Sequence, residues 1–280
     1  MANARKNLIG MIGAGILAGC VSSLPIECVT NNRLKSNYVS TEKGLGRIVQ
    51  DGPQAGPPVA ANGSKTDGVD YSVKVVDKYL ARIGLVFFDE PVLQTSLTYF
   101  PKDLSGFNIN YFENRMAGNG ELTEVDLTLG YGVSADDFDV SFKALYGFLD
   151  AFLPFRDIVE VGARASTRNL PITIGAEVDA VFSPDNNRDV GGEAIAFARK
   201  DFNLFDSLKA NAWTDLHFNN HYFIRDDNFS VANIGAGLRW NPFENDLLNV
   251  SVDAQQQYTL INDFDDQSLV SLSVGGSVKF

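Results

Sequence analysis

The sequence is short of histidine, cysteine and positive charge. Its 280 residues include 2 His and 2 Cys, and 35 Asp and Glu against 23 Lys and Arg give a net charge of −12. A protein that neutralises phosphates needs a basic face, so this balance argues against a nucleic-acid partner. His217 and His221 are the whole supply of imidazole, which leaves little material for histidine-based catalysis or a histidine metal site.

The sequence also lacks a long hydrophobic run. After the N-terminal segment no stretch reaches the roughly 18 apolar residues that mark a transmembrane helix. A chain with this pattern would have to cross a bilayer with strands. Its hydrophobic fraction of 45% is ordinary for one large all-β domain or for two smaller ones.

The first residues have the layout of a secretory signal peptide, with Arg5 and Lys6 before an apolar stretch. The tetrapeptide Leu17-Ala18-Gly19-Cys20 resembles the lipobox of bacterial lipoproteins, which implies cleavage before Cys20 and acylation of that residue. The alternative is ordinary cleavage nearby and a disulfide between Cys20 and Cys28 in an oxidising compartment. Acylation and the disulfide exclude each other, because a thioether-linked Cys20 sulfur cannot also form a disulfide with Cys28. We predict a signal peptide over residues 1–19.

The segment that follows is rich in Pro, Gly and small polar residues, as in QDGPQAGPPVAANGSKTDG, and shows no lasting period. Such composition is typical of a flexible linker. We predict a lipid-anchored or free flexible periplasmic segment over residues 20–70 and a folded domain over residues 71–280. The length of this segment also allows a structural role, in which residues 21–70 dock a periplasmic partner protein.

Runs of alternating residues then recur between turn residues. In one run Val125, Leu127 and Leu129 alternate with Glu124, Asp126 and Thr128. Most runs have the nine to eleven residues, roughly, that a tilted strand needs to cross a bilayer. A soluble sandwich also alternates, but here the polar face carries ionisable groups on strand after strand, as a wet or charge-paired lumen would. Twelve runs begin at Ala81, Val92, Gly106, Glu121, Phe138, Asp157, Pro171, Gly191, Ser207, Phe229, Leu247 and Ser268.

The connections between these runs alternate in length. Longer ones such as LDAFLPFR and NNHYFIRDD alternate with tight ones such as SADD and TRNL, apart from a first connection of only DEP. Short inner turns, longer outer loops and an even strand number are typical of bacterial outer-membrane barrels. We therefore predict an all-β fold: a transmembrane antiparallel up-and-down β-barrel of about 12 strands, with a range of ten to twelve, in the cell outer membrane.

The C-terminal stretch SVGGSVKF has a polar residue, a glycine and two hydrophobic positions, the second of them a terminal Phe, at Ser273, Gly275, Val278 and Phe280. It resembles the β-signal by which outer-membrane proteins are recognised for insertion, which implies outer-membrane lipid and the assembly machinery as partners. The stretches KALYGF, EVGARAS and ITIGAEVDAVFSPD loosely resemble the YfaZ-type small outer-membrane proteins.

The polar face of the alternating runs is the candidate functional surface. Acids outnumber bases on it, so an open lumen would favour cations. The function predicted is a narrow diffusion channel for small polar solutes; the alternative is a non-conducting, lipid-anchored structural or adaptor barrel whose inward charges pair and close the lumen. The residues predicted to line the lumen are Glu124, Asp126, Asp139, Lys143, Glu160, Arg164, Glu177, Asp179, Lys209, Asp215, His217, Arg239, Asp253 and Lys279.

Catalysis and metal binding have weaker support. A membrane-barrel lipid hydrolase needs a Ser and a His facing lipid, but neither His217 nor His221 has a Ser at recognisable spacing. Polar loops that contain His221, Asp226 and Asp227, or Asp263, Asp265 and Asp266, are compatible with a cation but do not define a site. The sequence therefore predicts no enzyme, no cofactor and no metal.

Overall fold

A computed structural model describes residues 67–80, 86–135, 137–148, 157–182, 190–220, 228–243, 247–260 and 265–280. Within these residues no helix is long and apolar enough to span a membrane. The strands are β1 Gly68–Val76, β2 Tyr79–Leu80, β3 Val86–Phe88, β4 Val92–Phe100, β5 Phe107–Met116, β6 Leu122–Ser134, β7 Phe138–Phe148, β8 Ile158–Thr167, β9 Thr173–Phe182, β10 Val190–Phe205, β11 Leu208–Asn220, β12 Asn228–Trp240, β13 Asn249–Thr259 and β14 Gln267–Lys279.

Twelve of these strands form one closed barrel. Its order is β1-β14-β13-β12-β11-β10-β9-β8-β7-β6-β5-β4, and β2 and β3 form a separate two-stranded sheet. Every neighbouring pair in the wall is antiparallel, and β1 closes the ring by pairing with both β14 and β4. Closure leaves no sheet edge with unpaired backbone groups. The predicted twelve-stranded up-and-down barrel is confirmed.

The two faces of the wall follow the pleat. On β6, Leu127 is 47% exposed and Leu129 is 54% exposed, whereas Asp126 between them is 3% exposed. Exposed apolar side chains recur at alternate positions around the barrel, for example Phe142, Ile174 and Ile234. Because successive side chains in a strand point to opposite faces, the apolar set lies outside and the polar set inside.

The first wall strand is not the predicted one. The strand predicted at Ala81 is wrong: β1 occupies Gly68–Val76, and the chain after it contributes only β2 and β3, outside the barrel sheet. In β1 the apolar Val69, Tyr71 and Val73 alternate with polar residues, as a wall strand requires. The run IGLVFF is apolar at every position after its glycine, so in the wall it would face apolar side chains to both lipid and lumen.

The revised first strand also removes the exception in the connection lengths. We call the end that carries Gly68 and Lys279 the periplasmic end and the opposite end the outer end. The connection after β1 is residues 77–91, the longest between neighbouring wall strands, and the two strand ends that it joins, Val76 and Val92, are at the outer end. The other outer connections are residues 117–121, 149–157, 183–189, 221–227 and 260–266, and the periplasmic ones are 101–106, 135–137, 168–172, 206–207 and 241–248.

Candidate functional site: the inward face of the barrel

The strand register places all the residues predicted to line the lumen at inward positions of the wall. Glu124 and Asp126 alternate with outward residues on β6, as Asp139 and Lys143 do on β7. Ten further residues stand inward on the remaining strands: Glu160, Arg164, Glu177, Asp179, Lys209, Asp215, His217, Arg239, Asp253 and Lys279. That they line a solute path stays a prediction.

The outer half of the inward face is tightly packed. Its carboxylates are almost inaccessible, with Glu124 1% exposed, Glu160 0% exposed and Asp215 4% exposed. Asp126, Asp179 and Glu193 are buried in the same way. Because a buried charge is costly unless it is paired and hydrogen-bonded, the partners of these groups decide whether this half is stable.

Lys143 is the centre of the first charged group, which we call the lysine cluster. Its Nζ lies 2.9 Å from Glu160 Oε1, 2.6 Å from Glu177 Oε1 and 3.0 Å from Asp179 Oδ1. Arg164 adds a second cation, with Nη1 3.4 Å from Glu177 Oε2 and its guanidinium carbon 4.0 Å from the centroid of the Phe197 ring. Two cations thus face three carboxylates across β7, β8 and β9.

His217 is the centre of the second group, the histidine cluster. Its Nδ1 lies 2.6 Å from Glu193 Oε1 and its Nε2 lies 3.0 Å from Asp215 Oδ1. Both ring nitrogens face carboxylate oxygens, which is the arrangement of an imidazolium that donates from both. Asn233 Nδ2 donates to Asp215 Oδ1 at 2.7 Å, and Gln255 Nε2 donates to Asn233 Oδ1 at 3.0 Å. The cluster therefore joins β10 to β13.

The charged residues in the periplasmic half of the inward face are more exposed. Lys209, Arg239 and Lys279 are exposed, and Asp139 and Asp253 are half-buried. Two inward glycines on β12 leave room for side chains of the neighbouring strands. A Cβ at Gly235 would lie 2.1 Å from a ring carbon of Trp213, and one at Gly237 would lie 2.0 Å from Asp253 Oδ1.

Several inward residues escaped the sequence analysis. Glu193 shares its inward row on β10 with Ile195, Phe197 and Arg199, so apolar and charged residues alternate with small alanines and the polar face is hard to recognise. Lys74 was missed because β1 was assigned elsewhere. Nothing in the sequence pattern indicates Tyr79, since it lies outside the wall.

The residues of the predicted assembly signal lie on β14, or directly after it in the case of Phe280, at the seam where the barrel closes. Val278 and Phe280 are outward and exposed, and Gly275 packs so closely on β1 that a Cβ would lie 2.6 Å from the Tyr71 carbonyl oxygen. The hydroxyls of Ser273 and Ser251 are 2.6 Å apart. The lipidation residue predicted at the N-terminus, Cys20, lies outside the described residues.

The described residues give no support for a hydrolytic or metal site. Ser230 Oγ donates to the backbone carbonyl of His217, while the His217 ring contacts Glu193, Asp215 and Asn233. Within the described ranges no three His, Cys, Asp or Glu residues are arranged to hold a metal ion. His221, Asp226, Asp227 and Asp263 lie outside those ranges, and Asp266 Oδ1 accepts a hydrogen bond from the Thr259 backbone N–H.

No protein-family model matches the sequence, and no curated protein matches it significantly. Among solved structures, the KdgM porin in complex with disordered oligogalacturonate is similar, with a TM-score of 0.50 and 8% identity over 75% of this chain and 99% of that chain. The NanC porin has a TM-score of 0.47 and 10% identity over 76% and 99%. The likeness to KdgM shows a shared fold. Together with the closed wall and an outward face suited to hydrocarbon, this fold makes the chain a membrane-spanning β-barrel.

Proposed function

We propose that the barrel is a narrow channel for small polar solutes and that it prefers cations to anions. The observation that carries the proposal is the inward face itself: charged side chains follow it from the exposed periplasmic half to the packed outer half, and carboxylates are in excess. In a confined path with low-dielectric walls, fixed negative charge raises the local concentration of cations and excludes anions.

The size of the barrel supports a narrow path. Twelve strands lie between the eight-stranded barrels that side chains fill and the sixteen-stranded porins that hold an aqueous channel. The burial of Glu124, Glu160 and Asp179 makes the outer half the narrowest part. We therefore expect small unitary conductance, with the resistance concentrated in the outer half.

The similar KdgM structure is a complex with disordered oligogalacturonate, a short chain of acidic sugar units. An inward face with excess carboxylate would repel such a chain. For this protein we instead propose small cationic or neutral solutes.

The test is a planar-bilayer recording of the purified full-length barrel, whose folding is checked by heat-modifiable gel mobility. We expect discrete conductance steps and a reversal potential, in a KCl gradient, that shows cation preference. A folded barrel that gives no steps at any salt concentration would overturn the channel. Steps with anion preference would overturn the selectivity.

We also propose that Cys20 is acylated and tethers the N-terminal segment. The lipobox-like LAGC supports this proposal. The resemblance to the YfaZ-type outer-membrane proteins, whose stretches include Lys143, Glu160 and Glu177 of the lysine cluster, supports the outer membrane as the location of the barrel. Cys20→Ser should remove the acyl mass, yet the barrel should resist carbonate extraction because its strands bury far more apolar surface than acyl chains add. A wild-type chain without acyl mass would contradict the proposal.

Assembly is proposed to depend on the terminal aromatic. Phe280 directly follows β14 and is 67% exposed, and its backbone N–H donates to the Asp67 carbonyl at 2.9 Å, beside the start of β1. Deleting Phe280 should prevent insertion by the assembly machinery and lead to degradation in the periplasm. A deletion variant that still gives the compact folded band would show that the terminal Phe is not the signal.

A second proposed role is docking of a periplasmic protein through residues 21–70. The support is positional: β1 begins at Gly68, so the wall strand to which this segment is joined starts at the periplasmic end. Deleting residues 21–66 should preserve insertion and conductance but remove a co-purifying protein. If cross-linked wild-type membranes yield no such protein, the docking role is wrong.

A further inference from the structure

The inward rim of β1, β4 and β5 is covered at the outer end. Val76 pairs with Val92, and Val92 pairs with Met116, so these three residues form one inward row across the rim. They are 1%, 0% and 9% exposed. Inward residues at an open mouth would be accessible to water. The burial of this apolar row therefore indicates that part of the protein folds over it.

The covering segment is the start of the connection between β1 and β4. Tyr79 of β2 is 1% exposed, and its hydroxyl donates to Glu124 Oε2 on β6. Glu124 pairs with Asn114, and Asn114 pairs with Gln94, in the inward row next below Val76, Val92 and Met116. The Tyr79 side chain therefore crosses the tops of β4 and β5 to reach β6, on the inside of the barrel.

This segment is held at several points. Tyr79 pairs with Phe88 of β3, which fixes its backbone. Its neighbour Lys78 donates from Nζ to Gln267 Oε1 on β14 at 3.4 Å. In the ring, β14 and β6 are separated by β1, β4 and β5. Lys78 and Tyr79 thus bridge about a third of the mouth, from one side of these strands to the other.

We propose that Tyr79 is the specificity-determining constriction of the outer mouth and that its hydrogen bond to Glu124 locks it in place. This inference rests on the channel proposed above and assigns its narrowest point. The ring limits solute size by filling the mouth. The hydroxyl fixes the ring and also covers a carboxylate oxygen of Glu124. Releasing the Tyr79 side chain would therefore widen the path and expose more of the negative charge of Glu124 to the solute.

The experiment compares Tyr79→Ala and Tyr79→Phe with Tyr258→Ala as a matched control. Tyr258 is on the lipid face of β13 and is 43% exposed. Planar bilayers give unitary conductance, and liposome swelling with neutral sugars of increasing size gives the exclusion limit. Tyr79→Ala should raise conductance several-fold and admit larger sugars. Tyr79→Phe should keep the size limit but fluctuate more often between conductance levels, since the ring remains and its hydrogen bond is lost. Tyr258→Ala should match wild type.

The outcomes separate this inference from the channel itself. If wild type conducts and Tyr79→Ala is indistinguishable from it, the constriction is wrong and the channel stands. If wild type is silent and Tyr79→Ala conducts, Tyr79 closes the mouth, so the inference that Tyr79 is the constriction is supported while the wild-type channel is overturned. If both are silent as folded barrels, channel and constriction are both overturned. Should Tyr79→Ala fail to give the folded band, Tyr79→Leu takes its place in each comparison, because leucine keeps an apolar side chain near Val76 and Val92.

Discussion

The outer and periplasmic halves of the lumen are built from the same residue types but differ in the burial and pairing of their charged side chains. In the outer half, Glu124, Glu160 and Asp215 are buried beside Tyr79, Lys143 and other partners. In the periplasmic half, Lys209 and Arg239 stand opposite each other as like charges and are exposed. Water screens charge in one half, and specific partners compensate it in the other.

This difference assigns different roles to the two halves. Charges that are buried and paired hold neighbouring strands together, and removing one partner leaves another without compensation. Charges in contact with water contribute little to stability, but they still shape the potential that a solute meets. We therefore expect mutations of buried charges in the outer half to affect folding and size selection as well as ion preference, and mutations of exposed charges in the periplasmic half to affect mainly ion preference.

Removing the central cation of the lysine cluster should have the largest effect on stability. Lys143→Met would leave Glu160, Glu177 and Asp179 facing one another without the ammonium, at a cost of about 3–5 kcal/mol in the free energy of unfolding. Lys209→Met, at an exposed inward position, should change it by less than about 0.5 kcal/mol. Urea unfolding in detergent micelles measures both. Equal losses would show that the two halves do not differ as described.

Adding a methyl group inside the lysine cluster should have an intermediate effect on the free energy of unfolding. A Cβ at Gly162 would lie 2.0 Å from Asp179 Oδ1 and 2.6 Å from Lys143 Cε. Gly162→Ala should therefore cost about 1–3 kcal/mol, as overpacking does, because side-chain atoms can shift but their ion pairs lengthen. Gly118→Ala, with no atom within 4 Å of its Cβ, is the control. If urea unfolding finds the two variants equally stable, the cluster has room that the structure does not show.

The sequence was sufficient for the face on which most wall residues lie, because the pleat forces alternation once a strand and its polar face are recognised. It was not sufficient for which inward residues meet. Lys143 and Glu177 are 34 positions apart and come together only through the register of β7, β8 and β9, which alternation alone does not specify. The lysine and histidine clusters could therefore be predicted as inward residues but not as clusters.

The error at the first strand has a related cause. Residues 81–88 are the more hydrophobic stretch, whereas β1 follows directly on a Pro- and Gly-rich segment and its inward face includes Ser72 and Lys74. Hydrophobicity favoured the wrong stretch, although alternation favoured the right one. The same error hid Tyr79, since the connection between β1 and β4 did not exist in the predicted topology.

Charge in the periplasmic half should alter ion preference in a salt-dependent way. Asp253→Asn removes a half-buried inward carboxylate, so cation preference should fall at about 0.1 M salt and recover towards wild type near about 1 M, where the Debye length is roughly 3 Å rather than 10 Å. Glu124→Gln in the packed outer half should keep its effect at high salt, because buried charge is screened less. Reversal potentials at both concentrations test this contrast, and identical salt dependence would contradict it.

The smallest effect should come from Asp67 at the periplasmic end of the seam. The pKa of its carboxyl is lowered, because the Lys102 backbone N–H and the Tyr99 hydroxyl both donate to it, at 3.1 and 2.9 Å. A lowered folded-state pKa contributes stability above the unfolded value, about 3.9, and loses it as the pH falls through the folded value. Wild type should therefore lose slightly more thermal stability than Asp67→Asn between about pH 4 and pH 2, and equal amounts between pH 8 and 5.

Heat-modifiable gel mobility across that pH range gives the two midpoints. The other carboxylates titrate in both proteins, so the difference between them isolates Asp67, whose exposed position keeps the effect small. The Asn amide oxygen can still accept from Lys102 and Tyr99, which limits the variant to a change of charge. Parallel pH profiles would mean that the Asp67 carboxylate does not stabilise the closure of β1 on β4 and β14. Closure there would then depend on the strand pairing and on Phe280 alone.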